Sequence, residues 1–116
     1  MENVYYKIYK DLKRFAKNKR NRIERKVICI SGSKEKLDDF VSRLRVSTGK
    51  RNIELVDERK KSKASFSDPT KKVYIFATSM LEPEQDKWIS ENHPGFVFIL
   101  EDTRIFEGEC ERINLS

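Results

Sequence analysis

The sequence predicts an α/β fold, a three-layer sandwich in which helices cover both faces of a mainly parallel sheet of four to five strands. Three apolar runs rich in β-branched and aromatic residues lie at 27–30, 73–77 and 96–100, and such runs are typical of strands buried on both faces. Helix-type apolar repeats alternate with these runs, as expected for strands joined by crossovers. The length of 116 residues fits a single domain.

A basic amphipathic helix is predicted at the start of the chain. Val4, Ile8, Leu12 and Phe15 recur at the spacing of one helix face, and cations occupy the opposite face. The residues that follow, up to position 26, lack a clear apolar repeat and predict a basic connector or an exposed continuation of the helix. We therefore expect a basic N-terminal helix and connector at 1–26, added to an α/β domain at 27–116.

The first buried strand is followed by a small polar turn and a second helix. Ser31-Gly32-Ser33 forms the turn, and the apolar residues between Leu37 and Leu44 keep the spacing of a core-facing helical stripe. Ser33 is predicted to cap the start of this helix. Gly49 is predicted to end it in the left-handed conformation.

The remaining elements follow from shorter patterns. Residues 52–56 alternate apolar and polar side chains, which predicts a half-exposed edge strand. Residues 59–72 have no periodicity and are rich in Lys and Ser, so we expect a mobile loop. A helix is predicted to start near Pro83 and to run to about Asn92. The C-terminal tail predicts either a small hairpin or one further edge strand.

Right-handed crossovers favour the strand order 2-1-3-4, a flavodoxin-like winding. In topology alone this order resembles flavodoxin-like receivers and BRCT modules. The carboxylates of a receiver pocket are missing from the segment VICISGS, and a BRCT-type tryptophan after the fourth strand is also missing, so neither family is assigned.

An anion-binding site is predicted where the first and third strands end side by side. Such a switch point holds ligands in open α/β sheets, and backbone N–H groups at the start of a helix attract phosphate. The residues predicted to form this site are Ser31, Gly32, Ser33, Thr78 and Ser79.

Charge is distributed very unevenly along the chain, whose net charge is +6. Residues 1–26 hold ten Lys/Arg against three acids, and residues 43–72 hold ten against four. Residues 82–116 hold nine acids against three bases. Such separation favours a polyanionic partner, and it also fits an acidic protein partner or self-association through oppositely charged ends.

The leading hypothesis is a non-enzymatic accessory protein that binds nucleic acid through the phosphate backbone. Phosphate contacts need positive charge and little else, so DNA and RNA fit equally well. Tyr5, Tyr6 and Tyr9 lie near these bases, and at least two of them are expected to pack against the core instead of stacking on nucleobases. The predicted contacts are Lys10, Lys13, Arg14, Lys17, Lys19, Arg20, Arg22, Arg25 and Lys26 in the N-terminal segment, and Arg59, Lys60, Lys61 and Lys63 in the loop.

Two alternative functions stay open. An interaction module would bind a phosphorylated ligand or a nucleotide at the predicted anion site, although the glycine spacings of dinucleotide and triphosphate loops are absent. A Mg²⁺-dependent nuclease would use carboxylates and a lysine to hold the metal and orient water. Its candidate residues are Asp57, Glu58 and Lys60 at the end of a strand, with Asp38 and Asp39 upstream.

The residues that most often carry catalysis or bind metal are scarce. The single histidine, His93, is expected to cap a helix, and one histidine with Cys29 and Cys110 makes no zinc set. We therefore predict no catalytic residue, metal or cofactor. No apolar run approaches the roughly 20 residues that span a bilayer, so we expect a soluble, cytoplasmic protein. Reduced cysteines fit that setting, and a disulfide between them stays open.

Overall fold

The computed structural model describes residues 2–17, 26–51, 53–60, 72–92 and 95–115, which form three helices and five strands. Two short 3₁₀ turns follow the second and third strands, at Glu58–Lys60 and Thr78–Met80. The predicted α/β class is confirmed. The helices are α1 (Glu2–Lys17), α2 (Lys34–Lys50) and α3 (Pro83–Asn92), and the strands are β1 (Lys26–Ser31), β2 (Glu54–Asp57), β3 (Lys72–Ala77), β4 (Phe96–Leu100) and β5 (Glu111–Asn114).

All five strands are parallel, in the spatial order β2-β3-β4-β1-β5. The predicted order 2-1-3-4 is wrong, because β4 separates β1 from β3. All five residues of β4 are buried, which suits the centre of the sheet, and β1 pairs with it in the register Val27↔Val97. The predicted edge position of β2 is confirmed. The C-terminal tail forms a further edge strand, β5, beside β1.

The crossovers explain how this order arises. The chain leaves β1, crosses one face of the sheet through α2 and reaches the far edge at β2. It leaves β3 in the opposite direction and crosses the other face through α3 to reach β4. Because the second crossover differs from the first in both its direction and its face, the two crossovers have the same handedness. This agrees with the strong preference for right-handed crossovers.

Alternation along the strands divides the core into two layers. Ile28 and Ile30 of β1 face α1 and α2, whereas Val27 and Cys29 face α3. On the first face Phe40 of α2 packs edge-on against a β4 phenylalanine at 5.4 Å between ring centroids. Helix α1 contributes two fully buried residues, Ile8 and Leu12, to this same layer. The three-layer arrangement is therefore confirmed.

The sequence correctly predicts the start of α2 but not its end. The Ser33 hydroxyl accepts a hydrogen bond from the backbone N–H of Lys36, so the predicted N-cap is confirmed. The prediction for Gly49 is wrong, since α2 continues to Lys50 and the capping Arg51 has a φ of −110°. A left-handed glycine occurs instead at Gly95, with φ 64°, where the chain turns into β4.

Candidate functional site

Three cations on α1 point into solvent. Lys10, Lys13 and Arg14 are exposed, and no ion pair or hydrogen bond within the described part of the chain uses their side chains. They lie opposite the buried residues Ile8 and Leu12, because one helix face is committed to the core. The helix therefore presents an unneutralised basic surface.

Other predicted contacts in the N-terminal segment lie elsewhere. Lys26 begins β1, and its ammonium donates to the carboxylate of Asp11 at 2.5 Å with Glu111 at 3.7 Å. Lys26 is therefore neutralised by two acids. Lys17 is the last residue of α1, and its side chain lies outside the described part of the structure. The same is true of the whole of Lys19, Arg20, Arg22 and Arg25.

A groove of about 500 Å³ runs between α1 and α2 beside the α1 cations. Of the described residues that line it, three are cations and none is acidic. Lys13 follows the groove residue Tyr9 by one helical turn, so this α1 cation lies next to the groove. The lining residues are Tyr9, Arg43, Val46, Ser47, Lys50 and Arg51.

Contacts within the groove hold the cations in place. The Arg43 guanidinium lies 4.8 Å from the centre of the Tyr5 ring, and it also pairs with Asp39 at 3.0 Å. Arg51 donates from one terminal nitrogen to both the carbonyl and the hydroxyl of Ser47, each at 2.9 Å. Its Nε is buried and has no hydrogen-bond partner among the described residues. Arg51 is thus held against α2 at the side of the groove.

The tyrosines of α1 divide between the core and solvent, as predicted. Tyr5 and Tyr9 pack partly buried against the core, whereas Tyr6 is 69% exposed. Burial raises the pKa of the Tyr9 phenol, although the charge of Arg43 opposes this change. The Tyr9 hydroxyl therefore stays protonated at neutral pH and can donate a hydrogen bond to an anion in the groove.

Three cations of the groove are absent from the contacts predicted from the sequence. Arg43, Lys50 and Arg51 belong to the basic segment 43–72, but the sequence pattern does not single them out as contacts. The spacing of Arg43, Ser47 and Lys50 places them on one face of α2, next to its buried stripe, and this spacing is visible in the sequence. The groove forms only because α1 packs beside that face of α2.

The predicted basic loop is described only at its start. Arg59 donates to both carboxylate oxygens of Asp57, from Nε at 2.9 Å and from Nη2 at 2.8 Å, and it lies 3.9 Å from Asp38. Its charge is therefore engaged within the protein. Lys60 is exposed at the end of the 3₁₀ turn, and Lys61 and Lys63 lie outside the described residues, as does most of the predicted mobile loop.

The carboxylates of the nuclease hypothesis are engaged by arginines or buried. Burial would raise the pKa of Asp57, but the hydrogen bonds and charge of Arg59 outweigh it and bring the pKa below its ordinary value. Glu58 is buried, and the Asp38 carboxylate lies beside Arg59. Within the described ranges, no group of three His, Cys, Asp or Glu side chains is placed to hold a metal ion. His93, the predicted helix cap, lies outside those ranges.

The first turn of the predicted anion site packs against the C-terminal strand. The Ser33 hydroxyl caps α2, and the Ser31 hydroxyl lies 3.4 Å from the carbonyl oxygen of Ile113. Gly32 packs so closely that a Cβ there would lie 3.2 Å from the Cβ of Leu115. The structure also places β4 between β1 and β3, so the two predicted turns do not face each other across one crevice.

The second turn holds an anion that the chain itself supplies. Asp102 accepts hydrogen bonds from the hydroxyl of Thr78 at 2.5 Å and from the hydroxyl of Ser79 at 2.9 Å. The backbone N–H of Ser79 donates to the same carboxylate at 3.2 Å. The donors of this turn are thus used by an internal carboxylate.

The topological switch point lies between β1 and β4. A shallow cavity of about 380 Å³ is found there, lined by Ser31 and by residues 101–105. This lining includes two carboxylates, Glu101 and Asp102, and its one cation, Arg104, is bound to Asp86 at 2.9 Å and to the carbonyl of Leu81 at 2.7 Å. The lining of this crevice is therefore poorly suited to an anionic ligand.

Charge of opposite sign lies on the two faces of the sheet. Helix α1 carries five bases and two acids, and α2 carries five bases and three acids. On the other face, α3 carries one base and three acids, and residues 101–110 carry one base and four acids. The sheet therefore separates the acids of α3 and of residues 101–110 from the cations around the groove. Glu111 of β5 is different, because it reaches the α1 side and pairs with Lys7 at 2.6 Å.

The Asp102 contacts make an acid-dependent prediction. Burial would raise the pKa of Asp102, but hydrogen bonds from Thr78 and Ser79 outweigh it, so the pKa lies below its ordinary value of 3.8. The stability contributed by the ionised carboxylate is present above that value and is lost as pH falls through the native pKa. We expect Asp102→Asn to lower the free energy of unfolding by about 1 kcal/mol at neutral pH.

Urea denaturation of wild type and Asp102→Asn measures this difference, which is expected to shrink as the pH falls below about 4. Glu109→Gln removes an exposed carboxylate from the same loop and serves as the charge-matched control. A difference between wild type and Asp102→Asn that stayed constant from neutral pH to about pH 3 would contradict this role of the carboxylate.

No helix in the described part of the chain combines the length and apolarity needed to cross a membrane. Comparison of the chain with protein-family models, with curated proteins and with solved structures found no significant match. Any assignment of function therefore depends on the geometry of the molecule itself.

Proposed function

We propose that this protein is a non-enzymatic accessory protein that binds nucleic acid through its phosphate backbone. The observation that carries the proposal is the combination of exposed, unpaired cations on α1 with a groove between α1 and α2 whose described lining holds three cations and no acid. We name this the α1–α2 basic surface; it consists of Lys10, Lys13, Arg14, Arg43, Lys50 and Arg51.

The composition of this surface suits phosphate groups. Lysine supplies a mobile point charge, whereas arginine supplies a planar set of donors that matches phosphate oxygens. Arg43, Lys50 and Arg51 line the groove, and the protonated Tyr9 hydroxyl adds a neutral donor beside them. Tyr6 is exposed on α1 and can stack on an unpaired base. These groups favour backbone contacts with little base readout, so DNA and RNA remain equivalent partners in the proposal.

The proposal extends to the basic residues outside the described ranges. Residues 18–25 follow α1 directly, and residues 61–71 follow the exposed Lys60. Their cations are proposed to add phosphate contacts to those of the α1–α2 basic surface. The same positive field would also attract an acidic protein or the acidic face of a second copy at low salt, and we propose the cytoplasm as the setting.

A pair of single-lysine variants tests this function. Lys50 lies in the groove on α2, and Lys87 is an exposed lysine on α3, across the sheet. Each change to alanine removes one positive charge from a helix surface. Because one phosphate contact contributes roughly five- to eightfold to the association constant at about 0.1 M salt, Lys50→Ala is expected to weaken binding by that factor. Lys87→Ala is expected to change it less than about twofold.

Fluorescence anisotropy with a labelled DNA duplex, its single strand and the matching RNA gives the three association constants. Equal losses for Lys50→Ala and Lys87→Ala would point to the net charge of the protein and not to the α1–α2 basic surface. If wild type bound none of the three probes at low salt, the proposed function would be wrong.

A further inference from the structure

The two cysteines of the chain, 81 positions apart, meet in the structure. The Sγ atoms of Cys29 and Cys110 lie 2.7 Å apart, and both residues are free thiols. Cys29 is fully buried in the middle of β1. Cys110 directly precedes β5 and is partly exposed. The thiols are therefore in direct contact, and solvent reaches them from the Cys110 side.

Strand pairing and one arginine hold this contact in place. β5 pairs with β1 in the register Cys29↔Arg112, so Cys110 lies just before β5, two residues ahead of the position opposite Cys29. The Arg112 guanidinium donates to the Glu101 carboxylate and to the carbonyl of Phe106. Phe106 in turn packs in the same buried cluster as Cys29, with Cys110 against it. Arg112 thus ties the start and the middle of the loop 101–110 to β5, next to Cys110.

The two thiols differ in reactivity. Burial raises the pKa of Cys29 well above its ordinary value, and the hydrogen bond with Cys110 raises it further. In the reduced protein, Cys29 is therefore a protonated thiol that is shielded from reagents in solution. Cys110 is the thiol that a reagent in solution can meet first.

We propose that Cys29 and Cys110 are an intramolecular disulfide site whose oxidant is a small-molecule disulfide. The Cys110 thiolate attacks one sulfur of the small disulfide, which breaks its S–S bond, forms a mixed disulfide on Cys110 and releases the first small thiolate. The released small thiolate takes up the proton of Cys29, and the Cys29 sulfur attacks the Cys110 sulfur. This attack releases the second small thiolate, which takes up the proton that Cys110 lost to solvent. Two protein thiols are oxidised by two electrons, and the small disulfide is reduced to two thiols.

The bond would join the edge strand β5 to β1 and close a long loop of chain. Closing such a loop lowers the conformational entropy of the unfolded state, and the bond therefore stabilises the fold. By linkage, folding raises the equilibrium constant for disulfide formation by the same factor by which the bond raises the folding equilibrium constant. On the chain-entropy model this factor is on the order of a thousandfold. Disulfide formation is therefore expected to be far more favourable in the native protein than in the same chain in denaturant.

The experiment incubates native wild-type protein with oxidised glutathione and measures free thiols and intact mass. We expect both thiols to be lost, with a mass decrease of two hydrogen atoms and no bound glutathione. Cys29→Ala is expected to trap one glutathione on Cys110, because the second attack is then impossible. Cys110→Ala, a change at a partly exposed position, is expected to leave Cys29 largely unmodified in the folded protein.

Native protein that retained two free thiols, kept glutathione on Cys110 or formed only intermolecular disulfides would overturn the proposal. Thermal unfolding gives an independent readout, since the oxidised protein is expected to melt at least about 10 °C above the reduced protein. Equal melting temperatures of the two forms would likewise contradict it. Neither measurement involves nucleic acid, so the result stands apart from the proposed function.

Discussion

Replacing Lys10, Lys13 and Arg14 together by glutamine is expected to weaken nucleic-acid binding by on the order of a hundredfold at about 0.1 M salt. All three side chains are exposed on α1, and none has an ion-pair partner within the described part of the chain. Each phosphate contact releases condensed counterions and so raises the association constant by its own factor. The loss of three contacts lowers the association constant by the product of three such factors. Fluorescence anisotropy with a labelled duplex measures the change.

The glutamine variant is designed to keep the fold. Glutamine has nearly the helix propensity of lysine and arginine, and the residues that α1 buries, Ile8 and Leu12, are untouched. Circular dichroism and thermal unfolding should match those of wild type. A correctly folded variant that bound the duplex within about twofold of wild type would remove α1 from the proposed surface.

Arg59→Ala is expected to lower the free energy of unfolding by about 3 kcal/mol. Arg59 is the bidentate partner of Asp57, whose side chain is only 4% exposed. The variant leaves this nearly buried carboxylate without a close cation, with only the backbone N–H of residue 59 at 3.2 Å and a long contact to Arg45 at 3.5 Å. Urea denaturation at neutral pH measures the loss. Because protonation of Asp57 removes the buried charge, the difference from wild type is expected to shrink as pH falls below about 4.

Arg45→Ala is the matched control for this prediction. Arg45 approaches the same carboxylate, but its side chain is 50% exposed, so its removal is expected to cost less than about 1 kcal/mol. Equal losses in the two variants would contradict the structural role given to Arg59. So would an Arg59→Ala variant of unchanged stability whose nucleic-acid affinity fell as far as that of Lys50→Ala.

Apolar patterning identified the elements but not their order in space. The runs at 27–30, 73–77 and 96–100 all became strands within one residue of their predicted bounds. All three are about equally apolar, so the pattern cannot tell which one takes the centre, and the crossover rules permit several orders. The central place of β4 depends on pairing with β3 and β1 together, which is a property of the assembled sheet.

In the candidate site, too, some features follow from the local sequence and others only from the folded chain. The exposed cations of α1 could be predicted, because the amphipathic repeat assigns them to the solvent face. The groove could not, because it needs α1 and α2 side by side. The filling of the Thr78 and Ser79 turn by Asp102 joins residues 23 or more positions apart, and no local pattern marks it. Likewise, no local pattern marks Arg59 as an ion-pair partner, because the burial of Asp57 is a property of the folded chain.

The uneven distribution of charge along the sequence becomes a separation of charge across the sheet. Along the chain, the basic and acidic segments appear as two ends of a molecule. In the fold, α1 and α2 carry the positive charge on one face, while α3 and residues 101–110 carry the negative charge on the other. A polyanion approaching the α1–α2 basic surface therefore meets its cations with the acidic face turned away.

The salt dependence of binding tests most directly whether α1 and the groove act as one phosphate-binding surface. The association constant with a DNA duplex is measured over a range of salt for wild type, for the α1 glutamine variant and for that variant carrying Lys50→Ala as well. With four contacts removed, the slope of log K against log salt is expected to fall in magnitude by about 3.6 from wild type to the combined variant, with Lys50 contributing about 0.9 of this. A slope that stayed at the wild-type value, or that did not respond to the groove substitution, would contradict the account.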